Sequence, residues 1–173
     1  MWFFVIGDLW IFACYFIGYS YDRAHDASAF LDGQRLLSPG MGVLNTAILL
    51  TSSLFVALCA QATRAGDITI ASRFIALGGT CGAAFLVTKV IEWHAEVSAG
   101  FPPSTYPFFT YYFTLTGLHF LHVLLGLLIL ALGWRELRKS TKPRAEFVEA
   151  SATYCHMVDS LWIAIFAALY LMR

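Results

Sequence analysis

The sequence predicts an all-α membrane protein, a bundle of five transmembrane helices with its N-terminus inside and its C-terminus outside. Three observations carry this expectation. Hydrophobic residues make up 59% of the 173 positions and charged residues only 13%, where a soluble domain carries about 25% charged. Five apolar segments reach the roughly 20 residues needed to cross the hydrocarbon core. Lys and Arg are shared unevenly among the links between those segments, and that asymmetry sets orientation. Helices follow because, in lipid, they satisfy their own backbone hydrogen bonds.

The first span covers about residues 2–21 and opens on MWFFVIGDLWIFACYF. It has no basic leader and no small-residue cleavage site, so it does not read as a signal peptide. Asp8 lies inside it. The link that follows, DRAHDASAFLDGQRLLSPG, is the longest and is expected to be a loop with His25 in solvent. The second span, about 41–62, holds Asn45, Thr46, Thr51, Ser52 and Ser53, small polar residues of the kind that join helices in membranes. The third span, about 70–93, contains Gly78-x-x-x-Gly82, a close-packing element. Lys89 and Glu92, spaced i,i+3, fall near its outer end. They are expected to form an interfacial group with His94, the lysine snorkelling toward water, and Glu96 lies at the same edge.

Pro102, Pro103 and Pro107 then break the helix and predict a short outer turn. The fourth span, about 108–134, carries TGLHFLHVLLG, in which His119 and His122 share one face with Tyr111, Leu115, Gly126 and Gly133. The fifth, about 147–172, places His156 and Asp159 three residues apart, with Glu149 and Thr153 on the same side. Between the fourth and fifth spans lies RELRKSTKPR; with Arg64 and Arg73 it puts most positive charge on one side, against Arg23, Arg35 and Arg173 on the other. The positive-inside rule makes the richer side cytoplasmic.

A formal net charge of +0 without a basic block argues against a nucleic-acid partner. Cys14, Cys59, Cys81 and Cys155 fall in different apolar segments and form no CxxC pair, so a disulfide framework is not expected. They read as packing residues. No internal repeat supports an inverted-repeat transporter.

Ionisable groups inside spans are costly and face the bundle interior. At about 1.5 Å of rise per residue, His122 and Asp159 lie at similar depth, so the fourth and fifth spans are expected to meet there. Three readings of His119, His122, His156 and Asp159 stay open from the residues alone. They could ligate a metal or haem, relay protons together with Asp8, or tie helices together by hydrogen bonds. HxxH lacks the glutamate of the zinc-protease motif HExxH, and a neutral histidine, with one donor and one acceptor, can bridge two helices.

Four ordered blocks resemble subunit III of haem-copper oxidases, and within that family its five-helix members, the subunit III of quinol oxidases and the NorE-like accessory proteins of nitric oxide reductase systems. They are MWFFVIGDLWIFACYF, LNTAILLTSSLFVALCAQ, KVIEWHAE followed by TLTGLHFLHVLLGLL, and YCHMVDSLWIAIFAALYL. The core Gly117-x-His119-x-x-His122-Val123-x-x-Gly126 is the most specific match. Tyr154, His156, Val158, Asp159 and Trp162 match the last block, where Cys155 stands in place of the family's tryptophan. Asp8 stands where the family has a reactive buried glutamate. Larger members have two further N-terminal helices, and this chain is expected to begin where those end.

The resemblance implies one subunit III-like domain over residues 1–173 in a bacterial inner membrane, with no catalytic centre or redox cofactor of its own. Haem, with copper or non-haem iron, is expected in a catalytic partner subunit of a respiratory complex that reduces oxygen or nitric oxide. Phospholipid binding is also expected. So are a proton-uptake role near Asp8 and an interhelical role for His119, His122, His156 and Asp159. An independent redox or metal-binding membrane protein, or a proton-conducting transporter, is the alternative.

Overall fold

In the computed structural model, residues 2–102, 106–139 and 145–172 are described. The elements are α1 (Trp2–His25), α2 (Ala27–Leu36), α3 (Pro39–Arg64), α4 (Ile68–Ser98), α5 (Pro107–Lys139) and α6 (Ala145–Phe166), the last continuing into a wider π-helical turn at Ala167–Leu171. Among the described residues, four helices are long and apolar enough to cross a membrane: α3, α4, α5 and α6 with its π-turn. They form a ring in which α3 packs on α4 and α6, and α5 packs on α4 and α6. α1 lies outside the ring against α5 and α6, and α2 rests on α5. Pro103, Lys142, Arg144 and Arg173 fall outside the described residues.

Each helix outruns the apolar segment that announces it, because backbone hydrogen bonding continues where hydropathy stops. Turn chemistry sets the ends. Gly66, at φ 81°, takes the left-handed conformation that closes α3, with the Asp67 amide donating back to the Ala62 carbonyl at 3.0 Å. Asp67 then caps α4 by accepting from the Ile70 amide at 3.1 Å.

The expected loop after the first span is instead mostly helix. α1 runs on to His25, which is exposed, and Asp26 caps α2 by accepting from the Ala29 amide at 3.2 Å. Phe30, Gly33, Gln34 and Leu37 are buried, a spacing that gives this short segment one inward face. Its charged residues, Asp32 and Arg35, are exposed and form a 3.5 Å ion pair. The polar composition that reads as loop is thus the solvent face of an amphipathic helix.

Gln34 anchors α2 to the end of α6. Its side-chain amide donates to the carbonyls of Ala168 and Leu169, each at 3.1 Å. The Tyr19 hydroxyl of α1 donates to the same Ala168 carbonyl at 3.0 Å. Ala168 and Leu169 lie in the last turn of the helix, where carbonyls lack intrahelical partners, and α1 and α2 supply donors for them.

Two glycines of α4 serve different neighbours. A Cβ at Gly78 would meet Val56 of α3 at 2.9 Å, and one at Gly82 would meet Leu127 of α5 at 2.9 Å. The glycine pair expected to allow close packing therefore faces two partners. At Gly33 a Cβ would meet Phe108 at 2.7 Å, and Phe108 is fully buried. Gly33→Ala is expected to lower stability in detergent by about 1–3 kcal/mol through overpacking. Gly7→Ala, where a Cβ would meet no described atom within 4 Å, serves as the neutral control. Thermal melting of both variants checks this.

Candidate functional site

α4 presents Phe85, Lys89, Glu92 and Glu96 on one buried face, following the i,i+3 and i,i+4 geometry of a helix. Lys89 has 0% and Glu92 3% of its surface exposed. The expected snorkelling pair is therefore wrong: both groups point into the bundle. His94 is exposed and meets Ser98 of its own helix at 3.5 Å, because two residues beyond Glu92 is the opposite side of α4. Glu96, buried and on the same face, takes the place expected for His94.

The ammonium of Lys89 donates to three oxygens: Glu92 Oε2 at 3.1 Å, the Tyr112 hydroxyl at 3.2 Å and the Tyr170 hydroxyl at 3.1 Å. Both tyrosine hydroxyls donate in turn to Glu92 Oε1, Tyr112 at 3.0 Å and Tyr170 through a shorter bond. Asn45 Nδ2 donates to Glu92 Oε2 at 3.0 Å, and Thr88 Oγ1 donates to Asn45 Oδ1 at 2.5 Å. The three N–H donors of the lysine and both carboxylate oxygens are thus satisfied. Nζ also lies over the rings of Tyr112 and Trp162, 4.8 and 5.2 Å from their centroids.

This cluster draws on every wall of the ring: Asn45 from α3, Lys89 and Glu92 from α4, Tyr112 from α5 and Tyr170 from the π-turn. The π-turn places Tyr170, and Gly42 admits it, since a Cβ there would meet the tyrosine ring at 2.8 Å. Beside the cluster, Trp162 Nε1 donates to Thr46 Oγ1 at 3.0 Å and Trp93 Nε1 to Thr116 Oγ1 at 3.2 Å. Tyr112 and Tyr170 are not among the sequence candidates. Their only signal is an aromatic bearing a polar tip among apolar neighbours, which membrane helices carry often. The sequence stripe on α5 names Tyr111 instead, but Tyr111 faces α1 and donates to Asp22 Oδ2 at 2.6 Å.

The four candidates on α5 and α6 separate into three environments. His119 is fully buried, its ring 5.1 Å from that of Trp162 and 5.5 Å from that of Phe85. Neither of its nitrogens has a hydrogen-bond partner among the described residues. His122 turns to α1, its Nε2 lying 3.3 Å from Asp8 Oδ1, and its Nδ1 lies 2.7 Å from the Leu118 carbonyl. His156 Nδ1 meets Ser53 Oγ of α3 at 2.6 Å, and Ser53 also lies beside the carboxyl of Asp159. Asp159 lines a small cavity of about 30 Å³ with Ser52, Gly82, Val123 and Cys155. The expected meeting of His122 with Asp159 does not occur. Depth along the axis was matched, but rotation about it points His122 at α1 and Asp159 at α3. Among the described residues no group of three or more His, Cys, Asp or Glu side chains is arranged to hold a metal ion.

A family profile described as cytochrome c oxidase subunit III matches residues 1–173. The chain belongs to the haem-copper oxidase subunit III family.

The chain is similar to cytochrome bo(3) ubiquinol oxidase subunit 3 of Pseudomonas aeruginosa, 30% identical, with 99% of this chain and 82% of that protein covered. Cytochrome c oxidase subunit 3 of Corynebacterium diphtheriae is 29% identical over 98% of this chain and 85% of its own length. That of Alkalihalophilus pseudofirmus is 30% identical over 99% and 84%. In this subunit III chain, the family-like blocks supply Lys89, Glu92, His119, His122, His156 and Asp159. The groups that complete the lysine–glutamate cluster, Asn45, Tyr112 and Tyr170, come from three different elements.

Removing one partner of a buried ion pair leaves the other charge uncompensated, at about 3–5 kcal/mol. Lys89→Met is expected to lower stability by that amount. Lys89→Met combined with Glu92→Gln is expected to recover part of it. Detergent-denaturation midpoints of the two single variants and the double variant give the coupling.

Proposed function

We propose that this chain is the non-catalytic third subunit of a haem-copper terminal oxidase in a bacterial plasma membrane. The observation that carries the reading is the match of residues 1–173 to the subunit III family, supported by relatives named as third subunits of quinol and cytochrome c oxidases. Those names favour an oxygen-reducing partner over the nitric oxide reductase of NorE-like proteins. The redox centres would lie in the partner, and this chain would stabilise it and hold lipid at its surface.

In this reading α1 is a fifth span, with the N-terminus inside. Its 24 residues extend about 36 Å, enough to cross. Trp10 and Ile17 on its outer face are each 70% exposed, as suits a surface covered by lipid or by another subunit.

The Asp8–His122 pair supports a part in proton uptake. A carbonyl only accepts, so the Leu118 carbonyl requires the proton on His122 Nδ1. The contact between His122 Nε2 and Asp8 Oδ1 then needs one further proton, carried by either group. Asp8 is 8% exposed, and its second oxygen has no partner among the described residues. Such a pair offers one proton site between α1 and α5, of the kind buried carboxylate–histidine relays use.

Tagged chain purified from its native membranes in mild detergent should bring down a haem-bearing subunit, read as a reduced-minus-oxidised haem spectrum. A chain that arrives alone and haem-free overturns the subunit reading. Asp8→Asn is expected to leave haem content of the complex intact and to slow turnover, most at alkaline pH where protons are scarce. Unchanged turnover across pH would remove the proton role while leaving the subunit role standing.

A further inference from the structure

The outward faces of the membrane helices are of two kinds. On α5, Leu121, Leu124, Leu128 and Leu132 are between 48% and 62% exposed, a surface as apolar as the lipid tails that surround it. On α6 the exposed positions between Val148 and Tyr170 are Thr153, Ser160, Ile163 and Ala164. They share one face of the helix, and three of the four are small or hydroxylated. Such residues let a neighbouring helix come close.

The hydroxyls on this face are acceptors. Thr153 Oγ1 donates to the Glu149 carbonyl at 3.0 Å and Ser160 Oγ to the His156 carbonyl at 2.8 Å. Each has only one proton, so each oxygen can now only accept. Toward α3 lies His156, half-buried. Its Nδ1 meets Ser53 Oγ at 2.6 Å, and Ser53 also bonds the carboxyl of Asp159. The other ring nitrogen, Nε2, has no partner among the described residues. The candidate span on α6 is Glu146–Leu171, which puts His156 roughly 15 Å from one end and 22 Å from the other. At that depth no water reaches an open polar group, and acyl chains neither donate nor accept hydrogen bonds.

We propose that this face of α6, with the edge of α3 at Ser53, docks a membrane-spanning helix of the catalytic subunit, which presents a hydrogen-bonding side chain to His156 Nε2. A polypeptide supplies the polar group that hydrocarbon lacks, and donors from it match the acceptor oxygens of Thr153 and Ser160. A second copy of this chain does not match. About a two-fold axis along the membrane normal, Ser160 would meet Ser160, two acceptors with no proton between them. The inference rests on the subunit III reading, which supplies the partner, and adds the surface on which that partner sits.

Haem per chain, measured on tagged complex purified from native membranes in mild detergent, tests the face. Ser160→Trp should lower that ratio about tenfold by overfilling the contact. Leu128→Trp, on the leucine face of α5, should leave it unchanged. Ser53→Ala with His156→Phe, which removes the hydrogen-bonding pair together, should lower it as well. An unchanged ratio in Ser160→Trp or in the double variant overturns the proposal. A photoreactive phenylalanine in place of Ser160, activated in intact membranes, should crosslink the haem-bearing subunit, identified by peptide masses. Capture of lipid alone, or of a second copy of this chain, overturns the proposal even where a variant fails to fold. Haem retained equally by the unmodified chain and by Ser160→Trp strikes the docking face alone, whereas an unmodified chain that arrives haem-free strikes the subunit reading itself.

Discussion

A buried ammonium and a buried carboxylate, Lys89 and Glu92, set the terms for the rest of the bundle. Two ions taken out of water are tolerated only when geometry and further hydrogen bonds offset their lost hydration. Here Tyr112, Tyr170 and Asn45 supply those bonds. Because each comes from a different element, satisfying one ion pair fixes the rotation of α3, α4, α5 and the end of α6 together. A half-satisfied network would cost more than an apolar core, so the four helices hold one arrangement.

The π-turn at Ala167–Leu171 belongs to the same constraint. It brings Tyr170 onto Glu92, and its last-turn carbonyls accept from Gln34 and Tyr19. α1 and α2 are thereby tied to the same end of α6 that carries Tyr170. α1 is held further by Tyr111 with Asp22 and by His122 with Asp8. The Asp8–His122 pair is thus a peripheral contact on a fixed scaffold, away from the closed lysine–glutamate cluster.

Much of the architecture was legible in composition and spacing. The four helices of the ring sit where apolar runs of span length predict them, and the His119–His122 and His156–Asp159 blocks carried the family resemblance that the profile match bears out. Other readings failed for identifiable reasons. The segment 22–40 looked like a loop because half of α2 faces solvent. Lys89 and Glu92 looked interfacial because they sit near the end of an apolar run, though α4 continues to Ser98. His122 and Asp159 matched in depth, but nothing in one chain's spacing gives the rotation of one helix against another.

By itself, then, the sequence determined the class of structure, the membrane-spanning character of its helices and the family. Hydropathy, helical period and local turn chemistry act between residues close in the chain. Only the tertiary structure decided which polar groups meet: Lys89 and Glu92 with Asn45, Tyr112 and Tyr170, His122 with Asp8, and His156 with Ser53. Those meetings depend on how four helices turn about their axes. That rotation is settled by the requirement that Lys89 and Glu92 find their partners at once.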